Sequence, residues 1–275
     1  RNVPQHLVAL RIDSLEAKLH GDHVPIYVSS VQNLALCFLI ATMNFVHIFR
    51  DGTFVTAMFG PLAHVLPIHA SVAVFQIALV LTSMMWSLIP VTATLQLIGL
   101  SRVSWPLWRR ISVSFIFTSL CVIDVACLSP GFVPTLDFAA YLEDIVRDLY
   151  GIDNNTRIAT AGSTATYAEL NEGRSLITIM LYMIVATYTL SYGFFVGLVL
   201  LIRRQLIAYG VTLSERTLRL QRAFQKMQIL QGFLPLAIIS IPALVFVIGT
   251  IAQTNMDFVT LLLTFFLWMC PSVQV

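Results

Sequence analysis

Three polar side chains inside long apolar runs, His69, Gln76 and Asp124, are the residues best placed for chemistry. Asp124 is the only acid deep in such a run, and exposing a charge to lipid costs at least ~2.5–3.5 kcal/mol, so it should face protein. It is either a ligand contact or switch, or a carboxyl bonded to neighbouring hydroxyls. His69 either contacts a ligand or lies at the membrane interface. Gln76 either touches a ligand or joins two helices through a hydrogen bond.

The residue patterns of the common catalytic and metal centres do not occur in the sequence. There is no paired nucleophile and base, no HExxH motif, no P-loop and no dinucleotide fingerprint. The four cysteines lie in apolar runs without the spacing of metal ligands; they are Cys37, Cys121, Cys127 and Cys270. We therefore expect no catalytic residues, no cofactor and no metal, and binding is the chemistry that remains.

The composition predicts what must position these side chains. Of the 275 residues, 57% are hydrophobic and only 11% are charged, whereas a soluble domain has about 25% charged residues. This balance excludes a disordered chain, a secreted disulfide scaffold and an ordinary cytosolic enzyme. It predicts an all-α, polytopic membrane helix bundle in the lipid bilayer. The net charge of +2 gives no indication of nucleic-acid binding.

Six runs are long enough to span a membrane, since a helix needs about 20 apolar residues to cross ~30 Å of hydrocarbon. These predicted spans cover residues 31–49, 68–100, 111–129, 175–202, 227–251 and 257–275. Proline interrupts the second span at Pro90 and the fifth at Pro235 and Pro242. Because a proline inside a helix removes a backbone hydrogen bond, each of these positions predicts a kink.

The charges between the spans predict the orientation of the chain, because basic loops stay on the cytoplasmic side. Arginines and one lysine dominate the segments after spans two and four, namely Arg102, Arg109 and Arg110, then Arg203, Arg204, Arg216, Arg219, Arg222 and Lys226. The loop over residues 130–173 is acidic and is predicted to be extracellular. It carries a glycosylation sequon on Asn154.

The acidic loop also contains a helical pattern over Asp137–Tyr150. Leu142, Ile145, Val146 and Leu149 recur at helical spacing on one face of this segment, which predicts a short amphipathic helix. The loop either forms a lid over a ligand entrance or is a glycosylated surface.

The most specific motif begins in the second basic segment and continues into the fifth span. It consists of Ser214, Thr217, Leu220, Gln221, Gln231, Pro235 and Pro242. These residues and their spacing resemble the sixth helix of nematode chemoreceptors of the Str superfamily, which includes the Str, Srd, Srh and Sri groups. Phe59-Gly60-Pro61, which precedes the second span, is also similar to that superfamily.

The resemblance implies a seven-transmembrane receptor in which the six spans are helices two to seven. The first helix is then missing, and we expect the chain to be incomplete at both ends. The resemblance also implies a receptor for small environmental chemicals that couples to a heterotrimeric G protein. Its location would be the plasma membrane of a sensory neuron, as a multi-pass protein of the cilium.

The resemblance further implies that Pro235 and Pro242 form a hinge in the fifth span; the alternative is that each proline makes a static kink that fits the packing of the helices. The G-protein-facing cations would then be Arg102, Arg216, Arg219, Arg222 and Lys226. These cations have a second interpretation, in which they only orient the helices. The alternatives for the whole protein are a transporter or channel subunit, or a non-functional truncated receptor.

Overall fold

The computed structural model describes residues 27–50, 52–100, 105–153, 155–164 and 177–208, together with separate helical positions between 215 and 265. Most of these residues are helical. In chain order the elements are α1 (Tyr27–Met43), β1 (Phe45–Arg50), β2 (Thr53–Met58), α2 (Pro61–Val65), α3 (Ile68–Ser87), α4 (Ile89–Leu100), α5 (Leu107–Leu128), a 3-10 turn (Ser129–Phe132), α6 (Leu136–Tyr150), β3 (Ala159–Thr164) and α7 (Ile177–Ala208).

Three helical stretches are long and apolar enough to cross a membrane. They cover Ile68–Leu100, Leu107–Phe132 and Val185–Ala208, and they overlap the second, third and fourth predicted spans. The helix α1 is apolar but shorter. The fifth and sixth predicted spans lie mostly outside the described residues, as do Pro235 and Pro242.

A break at Leu88 separates α3 from α4, two residues before Pro90. Pro90 has no backbone N–H, so the regular ladder of hydrogen bonds cannot continue through it. The N–H of Val91 donates to the carbonyl of Leu88 at 3.0 Å rather than to Ser87. The carbonyl of Ser87 instead accepts from the hydroxyl of Thr118 on α5 at 2.9 Å. The interruption predicted from Pro90 is confirmed, and the neighbouring helix satisfies the carbonyl that it frees.

The strands form an antiparallel sheet in the order β1-β2-β3. The hairpin of β1 and β2 closes between Arg50 and Thr53, and Gly52 in its turn has a φ of 72°. Glycine adopts this left-handed conformation without steric cost. The third strand comes from the acidic loop and pairs with β2, with Thr164 opposite Thr53.

This sheet corrects the all-α prediction and the end of the first predicted span. The helix α1 ends at Met43, and residues 45–49 of the predicted span belong to strand β1. Asn44 ends the helix with a φ of 49°, a left-handed conformation that asparagine tolerates better than most residues. The absence of charge was the basis of the span prediction, and a charge-free run does not distinguish a buried strand from a helix.

The sheet is a middle layer between the helix bundle and α6. Towards the bundle, the ring of Phe45 lies 5.8 Å from that of Phe75 on α3, and the ring of Phe54 lies 6.0 Å from that of Phe132.

On the face towards α6, three strand residues pack against a buried set on that helix. The strand residues are Ile48, Val55 and Ala57, and the buried set contains Phe138, Leu142, Ile145 and Val146. Successive strand residues point to opposite faces, which explains how one sheet buries both. We call the sheet and α6 together the cap.

The amphipathic helix predicted over Asp137–Tyr150 is confirmed as α6. Thr135 begins it, because its hydroxyl accepts the N–H of Phe138 at 3.4 Å. Gly151 ends it with a φ of 61°. Three of the four predicted apolar residues are buried, and Leu149 packs beside them.

Candidate functional site

The structure places the three predicted ligand residues on two helices. His69 is exposed in the first turn of α3, and Gln76 lies two turns further along it, half-buried. The side-chain amide of Gln76 donates to the carbonyl of Ser129 at 3.3 Å. This bond joins α3 to the end of the α5 stretch, as in the helix-joining alternative for Gln76. Asp124 belongs to α5, and its side chain lies outside the described residues.

A histidine that the sequence analysis did not identify, His47, lies on the bundle side of the sheet. Its Nδ1 is 2.9 Å from the hydroxyl of Thr56, and its ring stacks on Phe54 at 5.5 Å. Its backbone N–H donates to Thr264 Oγ1 at 3.2 Å. Thr264 lies within the sixth predicted span, so His47 links the cap to the far end of the chain. In a strand, residues two positions apart lie on the same face, so His47 lies on the face of Phe45. A prediction of β1 as a strand would therefore have placed His47 towards the helix bundle.

Burial lowers the pKa of His47 from 6.5 to about 4, because desolvation disfavours the charged imidazolium. Between these two values the unfolded chain binds a proton that the folded protein does not. We therefore expect the free energy of unfolding to fall by about 3 kcal/mol as the pH drops from 6.5 to 4, and to level off below that. Thermal unfolding of wild type and His47→Gln across this range measures the effect. An identical pH slope in the two proteins would contradict it.

An arginine clamp holds the loop that carries the predicted glycosylation site. Arg147 on α6 donates to the backbone carbonyls of Asp153 at 2.5 Å and Thr156 at 2.8 Å, and to Glu143 at 3.4 Å. Asp153, Asn155 and Thr156 are exposed, and Asn154 itself lies outside the described residues. The clamp therefore holds the residue before the sequon and the last residue of the sequon, and both are exposed.

Two neighbouring arginines at the basic end of α5 have different environments. Arg109 is exposed, and its guanidinium lies 5.2 Å from the ring centre of Trp108. Arg110 is only 6% exposed and points towards α4, where a Cβ added to Gly99 would lie 3.7 Å from its terminal nitrogen. Arg110 therefore packs between two helices, whereas Arg109 faces outward. Arg102 lies outside the described residues.

The predicted cationic face is partly described. Arg219, Arg222 and Lys226 are all exposed at helical positions, and Arg219 pairs with Glu215 at 2.6 Å. This exposed pair contributes little to stability. Arg216 lies outside the described residues, as do the motif residues Ser214, Thr217, Leu220, Gln221 and Gln231.

Two contacts join residues 215–233, which we call the motif segment, to α7. The side-chain amide of Gln225, 8% exposed, donates to the carbonyl of Val199 at 3.0 Å. Gly232 lies so close to α7 that an added Cβ would be 2.7 Å from Cζ of Phe195. Phe195 is itself buried among Ala93, Leu198, Ile202 and Leu206. The sequence analysis identified neither contact, although both residues lie between its motif positions.

Within the described parts of the chain, no three His, Cys, Asp or Glu side chains are grouped as metal ligands. The described residues thus include two kinds of contact. His47 contacts Thr56 on the bundle side of the sheet. Gln225 and Gly232 contact α7 from the same segment as the exposed Arg219, Arg222 and Lys226.

Comparison with protein families gives one match. Residues 54–270 match the family model described as serpentine type 7TM GPCR chemoreceptor Srh. No curated protein and no solved structure matches the chain significantly. The matched range includes all of β2 except Thr53, all of β3, all three long apolar stretches and the motif segment.

Proposed function

Because the chain belongs to the Srh family of serpentine 7TM GPCR chemoreceptors, we propose that it is a G protein-coupled receptor for small environmental chemicals. Membership of a chemoreceptor family is the observation that carries this proposal, and the three long apolar stretches agree with a multi-pass membrane protein. The described fold adds a cap over one end of the bundle. We further propose six spans in this chain and a location in the ciliary plasma membrane of a sensory neuron.

The cap is the extracellular side of the proposed receptor. The strand β3 and α6 both come from the acidic loop 130–173, while the arginines Arg109 and Arg110 lie at the other end of α5. Basic residues stay on the cytoplasmic side of a membrane. A ligand would bind between the helices below the cap, where Asp124 and His69 are proposed contacts and Gln76 fixes the helices around it.

Signalling requires two helix arrangements for which the ligand has different affinities, since equal affinity would shift no population. We propose that Pro235 and Pro242 form the hinge on which the motif segment moves away from α7. The hydrogen bond from Gln225 to Val199 and the contact of Gly232 with Phe195 support this proposal, because they hold the segment in place. The movement would uncover a surface for the G protein beside Arg216, Arg219, Arg222 and Lys226, and Arg102 is a further proposed G-protein-facing cation.

Expression with a reporter G protein and a panel of volatile compounds tests this function. We expect at least one compound to raise the reporter signal, and Asp124→Asn and Pro235→Ala to reduce the response while surface expression remains normal. Arg109→Gln, at an exposed position outside the proposed docking face, is the matched control. Normal surface expression with no response to any compound would contradict the proposal. An unchanged response in Pro235→Ala would contradict the hinge alone.

The proposed orientation predicts a glycan on Asn154. Asp153, Asn155 and Thr156 are exposed, and Arg147 donates to the backbone carbonyls of Asp153 and Thr156. We expect an endoglycosidase to reduce the apparent mass of the wild type, and Asn154→Gln to have the reduced mass from the start. Asn155→Gln, which keeps the sequon, is the matched control. A wild type that the endoglycosidase does not change would contradict a luminal position for this loop.

A further inference from the structure

Four exposed cations border the contact between α7 and the motif segment. They are Arg203 and Arg204 near the end of α7, and Arg222 and Lys226 in the motif segment. Among the described residues no carboxylate pairs with any of them, whereas Arg219, one turn earlier, is paired with Glu215. Positive charges that lie close together without acids repel one another, so an anionic partner would stabilise this surface.

The two contacts between these helices establish their relative direction. The side-chain amide of Gln225 donates to the carbonyl of Val199, and Gly232 lies against Phe195. The residue number on α7 falls as the number in the motif segment rises, so the two helices run antiparallel. The end of α7 therefore lies beside the start of the motif segment, and the cations of both come to the same end of the helix pair.

This arrangement brings one cation of each helix to the same level. Arg222 precedes Gln225 by three residues, and Arg203 follows Val199 by four. At about 1.5 Å per residue, the backbone positions of the two arginines lie about 4.5 and 6 Å from the hydrogen bond that joins the helices, on the same side of it. The two other cations lie beside them and are Arg204 and Lys226. We call these four residues the cationic band.

Exposed apolar side chains adjoin the cationic band on both helices. Leu200 lies four residues before Arg204 on α7 and is 58% exposed, and Leu230 lies four residues after Lys226 and is 60% exposed. Residues four apart share one face of a helix. A face with cations at one level and apolar side chains at the next fits the boundary between lipid headgroups and hydrocarbon, because long cationic side chains reach the headgroups.

We propose that the cationic band binds the headgroup of an anionic phospholipid in the cytoplasmic leaflet, with cations of both helices on one headgroup. Charge complementarity favours this occupant, since guanidinium groups bind phosphate through paired hydrogen bonds and the cytoplasmic leaflet carries the negative lipids. The adjoining apolar side chains contact the acyl chains. This inference rests on the proposed orientation of the chain and not on G-protein coupling. A G protein that uses Arg222 and Lys226 then has to displace the lipid.

Native mass spectrometry of the purified chain in detergent tests the site, because it counts the lipids that stay bound. The chain is titrated with phosphatidylserine and, separately, with phosphatidylcholine that has the same acyl chains. We expect the wild type to bind its first phosphatidylserine more tightly than its first phosphatidylcholine. Arg203→Gln with Arg222→Gln should lower the affinity for phosphatidylserine by about 25-fold, since each cation near an anionic leaflet changes affinity by about fivefold. Arg203→Lys with Arg222→Lys keeps both charges, so this matched control should keep the preference.

Equal affinity of the wild type for the two lipids would overturn the site, and so would a preference that survives the glutamine substitutions. A reporter assay separates this failure from failure of the receptor function. If the two lipids bind equally while compounds activate the wild type and not the glutamine variant, these cations serve the G protein and the lipid site is wrong. If phosphatidylserine is preferred but no compound activates the reporter, the lipid site stands and the coupling is wrong.

Discussion

Replacement of Gly60 by alanine is expected to remove most of the protein from the cell surface. Gly60 is buried where the hairpin enters α2, and its N–H donates to the carbonyl of Met43 at 2.8 Å. An added Cβ would contact the carbonyl oxygen of Thr42 and lie 2.6 Å from the carbonyl carbon of Met43. These are backbone atoms at the end of α1, so no side-chain rotation relieves the overlap.

Overpacking of this kind costs about 1–3 kcal/mol, and we expect the upper end for Gly60→Ala because a helix must move. Such a loss is a large part of the net stability of a typical protein, about 5–15 kcal/mol. Surface labelling of intact cells and thermal unfolding of purified protein measure the effect. Gly193→Ala on α7 is the matched control, since an added Cβ there meets no atom within 4 Å. Equal surface levels in the two variants would contradict the prediction.

The same contact gives a physical reason for Phe59-Gly60-Pro61, which the sequence analysis used only as a resemblance. Gly60 permits the close approach to α1, and Pro61 occupies the first position of α2, where its missing N–H costs nothing. Phe59 packs against the cluster under α6, and its ring lies 5.8 Å from Tyr150. The motif thus joins the cap to the bundle.

Local patterns allowed some elements to be predicted from sequence. The apolar spacing of α6 is a property of consecutive residues, and the break near Pro90 follows from one missing N–H. The hairpin also had a local signal that the analysis did not use, since Asp51-Gly52 between two apolar runs is typical of a two-residue hairpin turn. The absence of charged residues from 31–49 favours a helix over the same residues, so the two signals conflict.

The remaining parts depend on contacts between distant residues, which a single sequence does not show. The hydroxyls of Thr53 and Thr164, 111 residues apart, meet across β2 and β3 at 3.0 Å. The burial and lowered pKa of His47 depend on the packing of the sheet against the helix bundle, which brings its backbone N–H to Thr264, 217 residues away. Gln76 was predicted as a ligand residue because it is polar within an apolar run. Its observed hydrogen bond, to the carbonyl of Ser129, joins α3 to the 3-10 turn after α5.

Replacement of Gly232 by alanine is expected to separate the motif segment from α7. The new Cβ would lie 2.7 Å from Cζ of Phe195. Phe195 is 1% exposed and packed among buried side chains of α4 and α7, so its ring has little room to rotate. We expect a loss of about 1–3 kcal/mol in the free energy of unfolding. If the proposed receptor function holds, ligand-independent signalling rises as well, because the arrangement that holds the segment on α7 is selectively destabilised.

A smaller side chain at the contact should reverse this effect. Phe195→Leu removes ring atoms that the new methyl group meets, and on its own it should cost less than the ~3–5 kcal/mol of a change to alanine. The double variant Gly232→Ala with Phe195→Leu should then be more stable than the sum of the single changes by about 0.5–3 kcal/mol. Gly197→Ala on α7, where an added Cβ meets nothing within 4 Å, is the matched control. If the two changes are additive in thermal unfolding, or Gly232→Ala behaves as Gly197→Ala does, this contact does not hold the motif segment against α7.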